Sequence, residues 1–83
     1  MNIKLSKHAL EQGRKRKISE RDVYNIVDNY DHILTYDECL KVYQKVMKLE
    51  NKQYLYRVFV NVCKKPALVV TVYKTSKVAK YEN

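Results

Sequence analysis

The sequence has very few of the residues that mark special backbone sites. It contains one Gly, one Pro, no Trp and two Cys among 83 residues. Because Gly13 is the sole glycine, the chain has neither a Gly-rich phosphate-binding loop nor a Gly-x-Ser-x-Gly nucleophile elbow. With 46 % hydrophobic residues, it also differs from disordered and low-complexity chains. The composition indicates one ordinary folded domain.

Long apolar runs and a secretory signal are absent as well. The longest apolar run, Ala67–Val70, is far shorter than the roughly 20 residues of a membrane-spanning helix. The segment from Met1 to His8 lacks the apolar core of an export signal, so we expect a cytoplasmic protein without membrane association. Cys39 and Cys63 have no metal-ligand spacing and are interpreted as free buried thiols, with a disulfide as the less favoured alternative. We expect no metal and no cofactor.

Positive charge is in large excess. Seventeen Lys and Arg against nine Asp and Glu give a formal net charge of +8. Such a charge attracts nucleic acid, an anionic membrane or an acidic protein. Three basic clusters are visible: Arg14–Lys17; Lys41, Lys45, Lys48 and Lys52; and Lys64, Lys65, Lys74, Lys77 and Lys80. Tyrosines lie between them, so charge for phosphates and rings for base stacking occur together. A basic surface without a partner is the alternative that charge alone leaves open.

The first part of the chain has helical periodicity. Ser6 is a predicted N-cap for a helix from Lys7 to about Arg16. Ser19, followed three residues later by Asp22, predicts the start of a second helix through a variant of the capping box. Two amphipathic helices joined by a short connection must bury their apolar stripes on another layer.

From about Asp31 the pattern changes to β-rich runs dense in Val and Tyr. We predict strands at 32–36, 41–49, 53–63 and 66–74, joined by connections that are short enough for hairpins. The predicted fold is a single α+β domain over residues 1–83, with two N-terminal helices packed on an antiparallel meander sheet of about four strands. A short edge strand at 2–5 is left open. Residues 75–83 are interpreted as a basic tail with at most one helical turn.

Strand alternation separates the two faces of this sheet. In the strand at 53–63, it predicts that Arg57 and Asn61 face away from the helices. Alternation in the last strand gives two sets. The first consists of Thr71, Tyr73 and Thr75, and the second of Leu68, Val70, Val72 and Lys74. The first set is predicted to join Arg57 on the open face, where a site could lie.

Catalysis without a metal would need acid–base groups. RNA cleavage requires a base for the 2′-hydroxyl proton, cations that stabilise charge on phosphorus, and an acid for the leaving oxygen. His8 lies on the polar side of the first predicted helix and is the candidate acid or base, with a structural role as the alternative. His32 begins a strand and is interpreted as structural.

Four segments of the chain resemble a known family. They are His8-Ala9 with Arg16-x-Ile18-Ser19, Lys41–Lys45, Tyr56–Asn61 and Val69–Lys77. Together they are similar to a small domain-of-unknown-function family that is grouped with the RelE/ParE and BrnT toxin fold. Two positions depart from the family pattern, because Gln12 and Lys17 stand where Arg and Gly are common.

The resemblance implies a RelE-like domain that cuts mRNA and that a small acidic antitoxin holds inactive. Combined with the chemistry of the residues, it predicts a metal-independent endoribonuclease toxin with His8, Arg57 and Tyr73 as catalytic residues. The residues predicted to bind RNA are Arg14, Arg16, Lys41, Lys45, Thr71, Thr75 and Lys77. One alternative is a non-catalytic basic module that binds nucleic acid or an acidic protein, and another is a homodimer formed through an edge strand. The enzyme hypothesis requires that His8, Arg57 and Tyr73 converge on one phosphate-sized site.

Overall fold

A computed structural model of the protein describes residues 1–81 and the side chains of residues 1–79. Within this range the elements are β1 (Ile3–Leu5), α1 (Lys7–Arg16), α2 (Glu20–Asp28), β2 (His32–Thr35), β3 (Leu40–Leu49), β4 (Lys52–Asn61), β5 (Ala67–Thr75) and α3 (Val78–Tyr81). The predicted α+β fold with two N-terminal helices on a sheet is confirmed. Among these described helices, none is both long and apolar enough to span a membrane.

Serine residues begin both N-terminal helices. The Ser6 hydroxyl accepts a hydrogen bond from the Ala9 amide at 3.0 Å, and the Ser19 hydroxyl accepts one from the Asp22 amide at 3.1 Å. In return, the Asp22 carboxylate accepts a hydrogen bond from the Ser19 amide at 3.2 Å, which completes the capping box. These bonds satisfy amides that have no partner inside the helix, so both predicted helix starts are confirmed.

Lys17 caps the C-terminal end of α1 and has a left-handed backbone conformation with a φ of 56°. Gly or Asn usually occupies this position, because a side chain is strained there. The chain then turns so that the Ile18 amide donates a hydrogen bond to the Gly13 carbonyl at 2.8 Å. This approach requires a glycine, since a Cβ atom at Gly13 would lie 2.7 Å from the Ile18 carbonyl oxygen.

Replacing Lys17 by Gly is expected to raise the free energy of unfolding by about 0.5–1 kcal/mol, because Gly adopts positive φ without steric cost. Lys15→Gly, inside α1, is the matched control and is expected to cost about 1 kcal/mol. Urea denaturation of the parent and both variants measures the two changes. Equal losses of stability in the two variants would contradict the assignment of strain to Lys17.

The sheet has the strand order β1-β5-β4-β3-β2. Strands β2 to β5 form the predicted antiparallel meander, and β1 adds a fifth strand that runs parallel to β5. The prediction of about four strands therefore omits β1, which corresponds to the edge strand at 2–5 that the sequence left undecided. A two-residue turn at Glu50 and Asn51, both with positive φ, joins β3 to β4. This turn sets the register in which Gln44 lies opposite Arg57.

A β-bulge interrupts the ladder between β4 and β5. Phe59 of β4 pairs with Thr71, but the next residue, Val60, pairs with Val69. Val70 is therefore an extra residue of β5, which has no partner of its own in β4. Alternation of side chains stops at this position and begins again after it.

The bulge changes the face on which the first part of β5 lies. Leu68 pairs with Asn61 on the open face, whereas Val72 packs in the core under the helices. The prediction that Leu68 and Val72 share a face is therefore wrong. After the bulge the alternation is regular, and the open face carries Thr71, Tyr73 and Thr75, as predicted.

The two helices cover one face of the sheet. The core consists of Ile3, Ala9, Ile18, Val23, Ile26, Val27, Tyr43, Tyr56, Val58, Val60, Ala67, Val69 and Val72. Three of these residues are from β4, so the side of β4 predicted to lie under the helices is confirmed. Among the described residues, every buried side-chain nitrogen and oxygen has a hydrogen-bond partner.

Cys39 and Cys63 form a disulfide, with Cα atoms 5.0 Å apart. The interpretation of these cysteines as free buried thiols is wrong. They meet because both lie at the same end of the β3–β4 ladder, where Leu40 pairs with Asn61. The Val62 amide also donates a hydrogen bond to the Cys39 carbonyl at 2.7 Å. The separation of the two cysteines in the sequence does not report this proximity, whereas the strand register does.

Candidate nucleic-acid interface

The strand register places four side chains in one row across the open face of the sheet. His32 of β2 lies opposite Gln44 of β3, which in turn lies opposite Arg57 of β4. Arg57 lies opposite Tyr73 of β5. Directly opposed residues point to the same face of a sheet. The row therefore brings an imidazole, an amide, a guanidinium and a phenol to the face opposite α1 and α2, where Gln44 and Arg57 are themselves buried.

Arg57 is the centre of this row and is only 6 % exposed. Its Nε donates a hydrogen bond to Oε1 of Gln44 at 2.6 Å. Nη1 donates one to the hydroxyl of Tyr73, and Nη2 donates one to the hydroxyl of Tyr36 at 3.3 Å. Because the guanidinium is planar and rigid, these three bonds hold it in one orientation.

Arg57 stays positively charged in this buried position. Burial by itself lowers the pKa of the guanidinium, because a buried charge loses hydration. The hydrogen bonds to Tyr73 and Tyr36, together with the electrostatic interactions with these two side chains, more than offset this effect, so the pKa of Arg57 is raised above its ordinary value. A fixed positive charge therefore lies just below the open face at neutral pH.

Three aromatic rings form a line next to this charge. The Phe59 ring centroid lies 6.3 Å from that of Tyr36 and 6.1 Å from that of Tyr73, with interplanar angles of 22° and 25°. The guanidinium carbon of Arg57 is 5.3 Å from the Phe59 centroid and 5.4 Å from the Tyr73 centroid, within cation–π range. Tyr36 is 57 % exposed, so the line reaches solvent at the β2 side.

Helix α1 adds a second guanidinium at the other side of the line. The guanidinium carbon of Arg16 lies 5.9 Å from the Tyr73 centroid. Its Nη1 donates a hydrogen bond to the Val72 carbonyl at 2.9 Å. Strand β1 pairs with residues 67–69 of β5, and Arg16 covers part of the β5 edge beyond them. Tyr73 is thus close to two arginines from different elements.

The loop between β2 and β3 holds Tyr36 in place. Oδ1 of Asp37 accepts hydrogen bonds from the amides of Leu40 and Cys39 at 2.7 and 2.8 Å. Both bonds lower the pKa of the Asp37 carboxyl, and the bond from the Leu40 amide has the larger effect on it. The disulfide from Cys39 to Cys63 ties the same loop to the end of β4. The position of the outermost ring therefore depends on a short, cross-linked loop.

One known family matches the part of the chain that contains these side chains. A family model described as Domain of unknown function (DUF4258) matches residues 5–74. The chain belongs to this family. No curated protein and no solved structure matches the chain. In this DUF4258 domain the matched range contains the whole row from His32 to Tyr73, while the grouping with RelE/ParE toxins stays a prediction.

The DUF4258 domain brings several of the predicted site residues together. Those on the open face or at its edge are Arg16, Arg57, Thr71, Tyr73 and Thr75. Lys77 follows β5, and its amide donates a hydrogen bond to the Thr75 hydroxyl at 3.1 Å. Their contacts with RNA stay predictions.

The predicted RNA-binding lysines of β3 lie elsewhere. Lys41 and Lys45 point to the helix side, because strand side chains alternate and Gln44 points to the open face. Nζ of Lys45 donates a hydrogen bond to the Asn29 carbonyl at 2.7 Å and lies 3.9 Å from the Asp31 carboxylate. These contacts connect β3 to the end of α2 and are separate from the Arg57 row.

His8 is also separate from the row. It is exposed near the start of α1, a helix that contacts β5 and β1 from the helix side. At a rise of about 1.5 Å per residue, it lies roughly 12 Å along the helix axis from Arg16. Arg14 is exposed on the same helix. The structure thus brings Arg57 and Tyr73 together without His8.

Sequence reasoning missed two members of the row. It assigns His32 a structural role and gives Gln44 no role at all. The signal for Gln44 was present, because a two-residue turn at Glu50 and Asn51 pairs Gln44 with Arg57 by simple counting. His32 could be placed only with the length of the β2–β3 loop, which local patterns leave variable.

Proposed function

We propose that the open face of this DUF4258 domain binds single-stranded RNA. The observation that carries the proposal is the buried Arg57 guanidinium, held beside the line of Tyr36, Phe59 and Tyr73. Proteins bind unpaired bases by stacking them on aromatic rings and guanidinium planes, and they bind the backbone through positive charge. Both kinds of group occur on this one face.

The charge distribution supports an anionic partner. None of the five strands within residues 1–81 contains Asp or Glu, although the whole chain has nine acidic residues. By register, Lys4 and Lys48 point to the open face at two of its corners. Lys64 and Lys65 are exposed in the connection from β4 to β5. The backbone of an RNA strand that crosses the open face would meet cations at the edges of this face, and the bases would meet stacking groups at its centre.

An acidic protein is the alternative partner for the same charges. We favour RNA because aromatic stacking suits bases, whereas positive charge alone suits either partner. In a toxin–antitoxin system, an acidic antitoxin would bind this face and compete with mRNA.

We also propose that the protein is located in the cytoplasm. Disulfides that occur in the cytosol are mostly redox-active. In this location the Cys39–Cys63 disulfide would therefore respond to the redox state of the cell.

Cleavage of the bound RNA is a second candidate function, and one contact favours it. The Tyr73 hydroxyl accepts a hydrogen bond from Arg57. A phenol that can give a proton therefore lies beside a cation that can stabilise charge on a phosphate. A metal-independent endoribonuclease toxin would use such a pair.

Replacing Tyr36 by Ala is expected to lower the affinity for single-stranded RNA by roughly 5- to 150-fold, because one stacked base contributes about 1–3 kcal/mol. Fluorescence anisotropy with a labelled oligonucleotide measures the dissociation constants. Tyr24→Ala is the matched control, since Tyr24 is 43 % exposed on α2 and lies outside the open face. This control should bind RNA like the parent.

The same titrations at several salt concentrations test the ionic part of the proposal. The logarithm of the binding constant should fall with the logarithm of salt by about 0.7 per neutralised phosphate. If the parent does not bind RNA at low salt, or if Tyr24→Ala weakens binding as much as Tyr36→Ala, the open face is not an RNA-binding surface.

A further inference from the structure

His32 is the histidine that shares a face with Arg57. The register places it opposite Gln44, one strand away from Arg57. Because neighbouring strands lie about 4.8 Å apart, the Cα atoms of His32 and Arg57 are separated by roughly 10 Å. His32 is exposed, whereas Gln44 between them is only 2 % exposed. An imidazole open to solvent thus borders the same part of the face as the fixed guanidinium.

These groups are the ones that metal-free cleavage of RNA needs. In such a reaction the 2′-oxygen forms a bond to phosphorus while the bond from phosphorus to the 5′-oxygen breaks. The products are a 2′,3′-cyclic phosphate and a 5′-hydroxyl. One group must take the 2′-hydroxyl proton, another must give a proton to the 5′-oxygen, and a cation must stabilise the charge on phosphorus. The atoms balance without an oxidant, a reductant or a metal ion.

We propose that His32 is the catalytic base of the open face and that it acts with Arg57 and Tyr73 on RNA bound there, an inference that rests on the proposed RNA binding. His32 takes the proton of the 2′-hydroxyl. Arg57 stabilises the charge on the phosphate, and Tyr73 gives its proton to the 5′-oxygen. The phenolate that remains lies beside the Arg57 guanidinium, and exchange of one proton with the His32 imidazolium through solvent restores both groups.

Histidine suits this role because its charge changes between about pH 5 and 8, so it can take and return a proton near neutrality. The chain has two histidines, and the other one, His8, is exposed on α1 away from the row. His8 therefore provides a matched control that changes the same residue type at an exposed position. The comparison separates a role on the open face from a role on the helix layer.

The experiment measures binding and cleavage of one labelled RNA oligonucleotide by the parent, His32→Ala and His8→Ala. We expect the parent to produce 2′,3′-cyclic phosphate ends. His32→Ala should cleave about 10²- to 10⁴-fold more slowly, the contribution typical of an acid–base group. Its RNA affinity and melting temperature should stay close to those of the parent, and imidazole added to the buffer should restore part of its activity. His8→Ala should cleave like the parent.

Other results would overturn the assignment in different ways. If the parent binds RNA but leaves it intact, or if His32→Ala cleaves like the parent, His32 is not a catalytic base while RNA binding stands. If His8→Ala loses cleavage and His32→Ala does not, the base lies on α1. If the parent does not bind RNA at all, the proposed function and the role of His32 both fail.

Discussion

Reduction of the Cys39–Cys63 disulfide is expected to lower the free energy of unfolding by about 3 kcal/mol. The bond joins residues separated by 24 positions, and a cross-link of this span removes conformational entropy from the unfolded chain. In a domain of this size, each kcal/mol changes the melting temperature by roughly 4–8 °C. We therefore expect a decrease of about 12–24 °C, measured by scanning calorimetry with and without a dithiol reductant.

The double variant Cys39→Ser, Cys63→Ser is the control for this experiment. It should melt near the temperature of the reduced parent, and reductant should not change its melting temperature. The opposite result would be that both thiols of the untreated parent react with a thiol-specific label and that its melting temperature is the same with and without reductant. The two cysteines would then be free thiols, as the sequence predicts.

Arg57→Leu is expected to lower both stability and RNA affinity. Oε1 of Gln44 accepts its hydrogen bond from Arg57 at 2.6 Å, and Gln44 is 2 % exposed. Without Arg57 this buried oxygen loses its donor, at a cost of about 1–3 kcal/mol. The affinity for single-stranded RNA should fall roughly 10- to 150-fold, because hydrogen bonds to charged groups contribute about 1.5–3 kcal/mol.

Two further variants separate the structural role of Arg57 from its role in binding. In Gln44→Leu, Arg57→Leu both partners are apolar, so no amide oxygen is left without a donor and much of the lost stability should return. Its RNA affinity should stay low. Arg57→Lys keeps the charge but not the planar fork, and we expect intermediate affinity. Urea denaturation and anisotropy measure the two properties, and a double variant that binds RNA like the parent would rule out Arg57 as a contact.

The helical layer could be predicted well because its signals act within one turn of the chain. The hydroxyls of Ser6 and Ser19 bind amides three residues later, and these bonds do not depend on the rest of the fold. The left-handed end of α1 at Lys17 could not be predicted from its own residue type, because lysine does not favour this conformation. The resemblance to a family with Gly at this position was the one signal for it.

Part of the candidate site could be predicted from strand alternation. Arg57 and Tyr73 lie on one face because β4 is regular and because β5 is regular after its bulge. Alternation fails for Leu68, because the bulge adds Val70 to β5 at a place that another segment of the chain contacts. The Ser6 amide donates a hydrogen bond to the Val69 carbonyl at 2.9 Å at this place. Periodicity within a strand carries no information on such a contact.

The disulfide and the place of His32 beside Arg57 could not be predicted, because these residues meet only through pairing of distant strands. Cys39 and Cys63 are neighbours because of the β3–β4 ladder, and His32 joins Arg57 through two successive pairings. Each pairing adds a register that must be known before the faces can be compared. Local patterns therefore predict which elements form more reliably than which side chains share a site. His8 illustrates the same point, because local signals predict its helix, whereas its distance from the row depends on how α1 packs on β5 and β1.

The bulge at Val70 also determines where the sheet can tolerate the deletion of one residue. Because Val72 and Val69 both point to the core while Val70 is the extra residue, a chain without Val70 would keep the other side chains of β5 on their present faces. A one-residue deletion at this position is therefore compatible with the same core and the same open face. The ladder of β4 has no such extra residue. A deletion next to Arg57 would turn one end of the strand over and bring its polar side chains under the helices.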